Sequence, residues 1–141
     1  MRLFLDANVL FTAAHNPAGK AALVIELGQA GFWQLVTSAY AAEEARRNLA
    51  RKFPACVERL EVMLADVRTV ADATQSPAPA GLAEKDVPIF RAARSCHADV
   101  LLTGDLRDFG FLMNAPEKAD GLLIQTVANF LSSITEGHPP G

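Results

Sequence analysis

Two aspartates stand at the ends of apolar runs of strand length, nearly one hundred residues apart. The first run, Leu3-Phe4-Leu5, stops at Asp6, with Asn8 two positions on and apolar residues resuming at Val9. The second, Val100-Leu101-Leu102, passes through Thr103 and Gly104 to Asp105, with Asp108 and Phe109 behind it. An apolar run that ends in an acid reads as a buried strand delivering a carboxylate to its C-terminal end. In an open parallel α/β sheet, the loops leaving those ends form the ligand crevice. Two such strands predict one acidic site, and carboxylate oxygens suit hard divalent cations. Each acid also has a plainer reading: a lone Asp6 fits a turn or cap, because aspartate bonds its own local backbone.

The elements that must position these acids alternate in type. Residues 16–19, Asn-Pro-Ala-Gly, predict a turn, and residues 20–30 a helix whose apolar positions Ala21, Leu23, Val24, Leu27 and Ala30 recur at three- and four-residue spacing, with Gly31 as its stop. Residues 32–36 predict a second strand. Thr37 or Ser38 then caps a helix to about residue 53 that carries Glu43 and Glu44 and the basic residues Arg46, Arg47, Arg51 and Lys52. A helix over about 55–64 and a third strand over 67–70 follow. Residues 73–81, rich in Ala, Pro and Ser, predict a surface loop. Pro88 falls in the first turn of a helix reaching about residue 97, and residues 100–102 form a fourth strand. Residues 103–109 read as a polar loop, 122–124 as a fifth strand, 127–133 as a last helix and 137–141 as a disordered tail. The expected architecture is a three-layer α/β/α fold with a mainly parallel sheet of about five strands, in one domain over residues 1–136. Its first and fourth strands should be neighbours, which would join Asp6 and Asp105 where the connections change sides.

A chain of 141 residues, half of them hydrophobic, can bury a core without staples. Cys56 and Cys96 have no paired spacing and read as reduced thiols. No stretch has the pattern of a signal peptide or the length of a membrane span, so a soluble cytoplasmic protein without membrane contact is expected. The net charge of -3 excludes no partner. If four acids are gathered in one metal site, the 13 basic residues meet a nearly equal number of remaining acids.

The sequence resembles the PIN domain family of metal-dependent ribonucleases, which includes the toxins of bacterial toxin-antitoxin pairs. The resemblance rests on Leu5-Asp6-Ala7-Asn8-Val9-Leu10, on residues 38–49 with their helical glutamate, on Lys85-Asp86 opening a helix, and on Leu102-Thr103-Gly104-Asp105 followed by Asp108-Phe109. It implies a metal-dependent endoribonuclease acting on single-stranded or loop RNA. Its Mg²⁺ or Mn²⁺ would be held by Asp6, Glu44, Asp86 and Asp105, with Asp108 as a fifth member and Asn8 and Thr103 in support. It also implies an antitoxin protein as partner and a homodimer. Glu43 stands beside Glu44, and the family's phase favours Glu44. Such a cluster makes chemical sense only with a cation or a proton inside it, since converging carboxylates repel. On that ground Asp105→Asn is expected to abolish cleavage while leaving the metal-free fold intact or more stable.

Arg46, Arg47, Arg51 and Lys52, with Arg91, Arg94 or Arg107, would hold the phosphate backbone, or form no more than a solvated helix face. Trp33 and Tyr40 could stack on bases, though Trp33 is better placed to pack. Asp86 alone fits an N-cap, and Glu44 alone a solvated helix position. Two other classes compete with the nuclease. One is a PIN-like module that binds RNA or protein without cutting. The other is a phosphoryl-transfer enzyme, which lacks support: Asn8 breaks the Asp-x-Asp nucleophile pattern, and no glycine-rich phosphate loop is present.

Overall fold

The computed structural model describes residues 1–135; the expected tail lies outside them. Five strands, β1 (Arg2–Leu5), β2 (Gln34–Ser38), β3 (Arg68–Val70), β4 (Val100–Leu102) and β5 (Leu123–Gln125), pair in the order β3-β2-β1-β4-β5. Every pairing is parallel. Parallel neighbours cannot be joined by tight hairpins, so crossover segments separate them. These carry α1 (Ala7–His15), α2 (Lys20–Gln29), α3 (Ala39–Lys52), α4 (Val57–Leu64), α5 (Val87–Ser95) and the single turn α6 (Leu106–Phe109), and α7 (Val127–Thr135) follows β5. Helices α1 to α4 pack against one another, while α5 packs on β2. The layered α/β/α arrangement and its parallel sheet are those expected from the alternation of patterns.

The central strand explains the apolar opening of the chain. Leu3, Phe4 and Leu5 have no exposed surface, because helices cover both faces of an all-parallel sheet. In register, Leu3, Phe4 and Leu5 face Val100, Leu101 and Leu102. From β1 the connections step outward to β2 and β3, then cross back to β4 and β5. The crevice between the carboxyl ends of β1 and β4 is therefore the switch point.

Several local readings shift. Residues 7–15, which continue the apolar character of β1 and were not expected to be a separate element, form α1. They bury Ala7, Val9, Leu10, Ala13 and Ala14, a helical spacing that the preceding strand residues run into and obscure. Strand β2 starts two residues later than expected, and Trp33 precedes it. Its indole Nε1 donates to the Val24 carbonyl at 3.0 Å, and its ring meets Phe130 of α7 edge-on with centroids 5.1 Å apart. Trp33 is a packing residue. Part of the expected polar loop after β4 is helical, because Asp105 caps α6 by accepting from the Asp108 N–H.

Gly28 in α2 is fixed by a close approach. A Cβ there would lie 2.5 Å from Cγ of the buried Leu35 on β2. Gly28→Ala gains about 1 kcal/mol of helix propensity and loses about 1–3 kcal/mol to overpacking. We expect a net loss of stability, read as a lower urea midpoint at unchanged slope.

Candidate metal and active site

Asp6 follows the last residue of β1 and caps α1, and it is 3 % exposed. Its Oδ1 accepts from the Ala7 N–H at 2.6 Å and its Oδ2 from the Thr103 hydroxyl at 2.7 Å. Thr103, fully buried at the end of β4, also accepts from the Asp105 N–H at 3.1 Å. Asn8 completes the link: its carbonyl accepts from the Gly104 N–H at 2.8 Å, and its amide lies 3.4 Å from both Asp6 Oδ2 and Thr103 Oγ1. The ends of β1 and β4 are thus bound together side chain to side chain as well as through the ladder, where the Asp6 N–H donates to the Leu102 carbonyl.

Asp86 ends a short 3₁₀ turn and stands where a cap of α5 would, yet its side chain makes no capping bond. It is 5 % exposed, and among the described residues its Oδ2 has no hydrogen-bond partner. The Lys85 ammonium is 3.4 Å from that oxygen, an ion-pair distance. The same ammonium lies 2.9 Å from Asp105 Oδ2 and 3.0 Å from Asp108 Oδ2. Asp86, Asp105 and Asp108 present oxygens within 4.8 Å of one another, so Lys85 Nζ occupies the focus of three carboxylates. Lys85 was not singled out from the sequence as part of the site. Its position just before a candidate ligand was the only available sign.

A cavity of about 200 Å³ opens beside this cluster and is lined by Asp6, Glu44, Asp86, Asp105 and Lys85, with Asn8, Phe11, Thr12, Asn48 and Lys52. Glu44 reaches the cavity from α3, whereas Glu43 faces Arg46 from outside. A larger depression of about 600 Å³ lies at the amino ends of β1, β2 and β3, around Met1, Gln34 and Arg68. That is the wrong edge of the sheet for the acids.

The basic residues divide. Arg46 is taken by Glu61 of α4 at 2.7 Å, so it ties two helices together and does not enter the cavity. Arg51 donates to Asn48 Oδ1 on its own helix at 3.2 Å. Arg94 pairs with Asp120 and Arg91 with the Thr74 carbonyl. Arg47 and Arg107 are exposed, and neither lines the cavity. Lys52 and Lys85 are the basic residues that do.

Burial pushes the Asp6 carboxyl up to about 6; the Thr103 and Ala7 hydrogen bonds oppose the rise, and the charges of Glu44 and Asp105 add to it. Burial also lifts Asp86 to about 6, against the pull of Lys85 and with the push of Asp105 and Asp6. Partial burial acts the same way on Asp105, but the Lys85 ammonium and the Asp108 N–H outweigh it and hold that carboxyl below its ordinary value. This reverses the expectation for Asp105→Asn. The Asp105 charge is stabilising in the metal-free fold, through Lys85 and the cap of α6, and the charges that cost stability are those of Asp6 and Asp86.

The sequence matches the PIN domain family over residues 2–107. The chain belongs to the PIN domain family. No curated protein matches it. Among solved structures, VapBC2 from Rickettsia felis, bound to a DNA fragment from its promoter, superposes with a TM-score of 0.64 at 13 % identity, covering 89 % of this chain and 98 % of that one. DNA-bound VapBC from Salmonella typhimurium gives 0.64 at 16 % identity, covering 90 % and 98 %. Mycobacterium tuberculosis VapC20, a toxin that cleaves the sarcin-ricin loop, gives 0.52 at 13 % identity, covering 73 % and 91 %. These likenesses show that the fold is shared. In this PIN domain the acids at the carboxyl ends of β1 and β4 and at the start of α5 face one another, with the glutamate of α3 on the same cavity.

For a carboxyl whose value is raised on folding, the folded chain keeps a proton that the unfolded chain has released. Stability from Asp6 and Asp86 is therefore full below about pH 4, declines as pH rises toward 6 and is level above it. We expect Asp6→Asn to be more stable than the metal-free wild type above pH 6 and to lose that advantage near pH 4. Urea midpoints of both proteins in chelator across pH 4–7 read the difference.

Proposed function

We propose that this PIN domain is a metal-dependent endoribonuclease that hydrolyses phosphodiester bonds of single-stranded or loop RNA, and that it acts as the toxin of a toxin-antitoxin pair. The observation that carries the reading is the buried Asp86, whose Oδ2 has no hydrogen bond among the described residues and which lines a cavity together with Asp6, Glu44 and Asp105. A donor set of carboxylate oxygens fits Mg²⁺ or Mn²⁺, and the two lysines of the cavity do not balance Asp6, Glu44, Asp86, Asp105 and the adjoining Asp108. When bound, such an ion lowers the pKa of a water and offsets the charge that builds on the phosphate.

Asp6, Asp86 and Asp105 would hold the ion, with Asp108 at the margin and Glu44 as a ligand or as the group that orients the attacking water. Asn8 and Thr103 fix the rotamer of Asp6, which lines the cavity. Lys85 neutralises Asp105 and Asp108 from the exposed side and is placed to meet a phosphate arriving there. VapC20 supports an RNA target by its own action on the sarcin-ricin loop. The VapBC structures support a partner protein that, in this system, would block the acidic crevice. A homodimer and a soluble cytoplasmic chain are part of the same proposal. No described helix is long and apolar enough to cross a membrane.

One observation favours a second reading. The Lys85 ammonium already fills the focus of three carboxylates, as it would in a binding module that has given up the metal. Two measurements separate the readings. In a mixed single-stranded RNA pool we expect fragments with Mn²⁺ or Mg²⁺, none with chelator, and a loss of at least about 100-fold in Asp86→Asn, whose fold is checked by circular dichroism. By calorimetry we expect the wild type to bind Mn²⁺ and Lys85→Met to bind it more tightly, since a competing charge is gone. Mn²⁺ binding by Lys85→Met alone would establish the module instead.

A further inference from the structure

Beside the acids the cavity has a second wall of different chemistry. Helices α1 and α3 run side by side away from the switch point, and each shows one face along the same line. On α3 this face carries Glu44, Asn48 and Lys52 at four-residue steps, spanning about 12 Å. On α1 it carries Asn8, Phe11 with Thr12, and His15. Of these, Asn8, Phe11, Thr12, Glu44, Asn48 and Lys52 line the cavity. The track therefore begins at the carboxylates and continues outward through polar and cationic groups.

It ends on an aromatic cluster. The His15 and Phe53 rings stack with centroids 3.9 Å apart at 27°, and Phe11 meets Phe53 at 6.0 Å and 56°. Lys52 Nζ sits 5.8 Å from the centre of the Phe11 ring. Phe53 is 39 % exposed and His15 lies at the surface. Stacking stabilises the fold by itself, but here the paired rings stay partly exposed next to Phe11 and Lys52, which line the acidic cavity. A flat π surface with an adjacent cation is what an unpaired nucleobase and its phosphate require.

We propose that the α1–α3 track binds the single strand of RNA flanking the scissile phosphate, one nucleobase stacking on the Phe53–His15 platform and one backbone phosphate held by Lys52. This rests on the nuclease reading and adds the surface that engages the substrate. The patch fits RNA better than a protein partner. Its apolar part is three rings, and the other large exposed apolar residues among those described, Met1, Leu23, Phe32, Val62, Leu106 and Phe111, belong to other segments. A stable protein interface needs roughly 800 Å² on each side. Because stacking tolerates any base, the platform would favour unpaired segments without selecting their sequence.

The test is fluorescence anisotropy of a labelled ten-nucleotide single-stranded oligouridylate with the full chain in Ca²⁺, the RNA checked on a gel for intactness. We expect Phe53→Ala to bind about tenfold more weakly and Phe53→Trp to bind like wild type. Lys52→Ala should bind more weakly and with a salt slope smaller by about one counterion. Mn²⁺ calorimetry and cleavage on the same preparations keep the two readings apart. Wild-type RNA affinity in both Phe53→Ala and Lys52→Ala, with Mn²⁺ binding and cleavage intact, overturns the track and leaves the nuclease standing. A wild type that neither binds Mn²⁺ nor cuts overturns the nuclease reading itself. Unchanged RNA affinity in Phe53→Ala with altered sedimentation assigns the rings to an interface between copies and overturns the platform.

Discussion

A hydrogen bond of 2.7 Å from the Thr103 hydroxyl to Asp6 Oδ2 joins the ends of two strands 97 residues apart in sequence, and the geometry of the acidic site depends on it. A carboxylate as buried as Asp6 is tolerated only when its oxygens are satisfied, and here a backbone N–H and a hydroxyl do so. Thr103 in turn receives the Asp105 N–H, and Asn8 receives the Gly104 N–H. The Thr103–Asp6 and Asn8–Gly104 bonds fix one strand end against the other. The arrangement requires the β1–β4 register in which Leu5 faces Leu102. A slip of one residue would turn Thr103 to the other face of the sheet and leave Asp6 Oδ2 buried without its hydroxyl donor.

The acids are neutralised in two different ways in the metal-free fold. Toward the interior, Asp6 and Asp86 are raised by burial and hold protons into mildly acidic conditions. Toward solvent, Asp105 and Asp108 are matched by the Lys85 ammonium. Asp86 belongs to both halves, since its Oδ2, without a hydrogen bond among the described residues, lies at an ion-pair distance of 3.4 Å from that ammonium. Below about pH 6 protons and one lysine thus offset the charges of Asp6, Asp86, Asp105 and Asp108 in the metal-free site; above it Asp6 and Asp86 are charged and the fold bears their cost.

How much of this could be read from the sequence follows from how local each signal is. Asp6 and Asp105 were legible because each ends an apolar run, and the adjacency of β1 and β4 follows from the alternation of elements. Helix phase separates Glu44 from Glu43, and the structure brings Glu44 to the cavity. Helix α1 was hidden because the buried residues of β1 pass into its own apolar face without a polar break. Lys85 was missed because its role comes from three contacts, two of them to acids more than 19 residues away. Arg46 shows the converse: a basic residue in a basic group reads as a phosphate contact until the position of Glu61 is known. The Asp105→Asn effect has the same origin: counting like charges alone points to a gain in stability, and the lysine between them points to a loss.

The central strand is also the first to be made. β1 must wait for β2 and then, about one hundred residues later, for β4 before both of its edges are covered. Such distant pairing closes late, after the loop entropy of the intervening chain has been lost. A chain emerging from synthesis therefore carries Asp6, Glu44 and Asp86 well before anything holds them to one centre, and Asp105 arrives only with the loop that follows β4. For a domain proposed to destroy RNA, this chain order leaves the acids unassembled until β4 and the loop after it have been made.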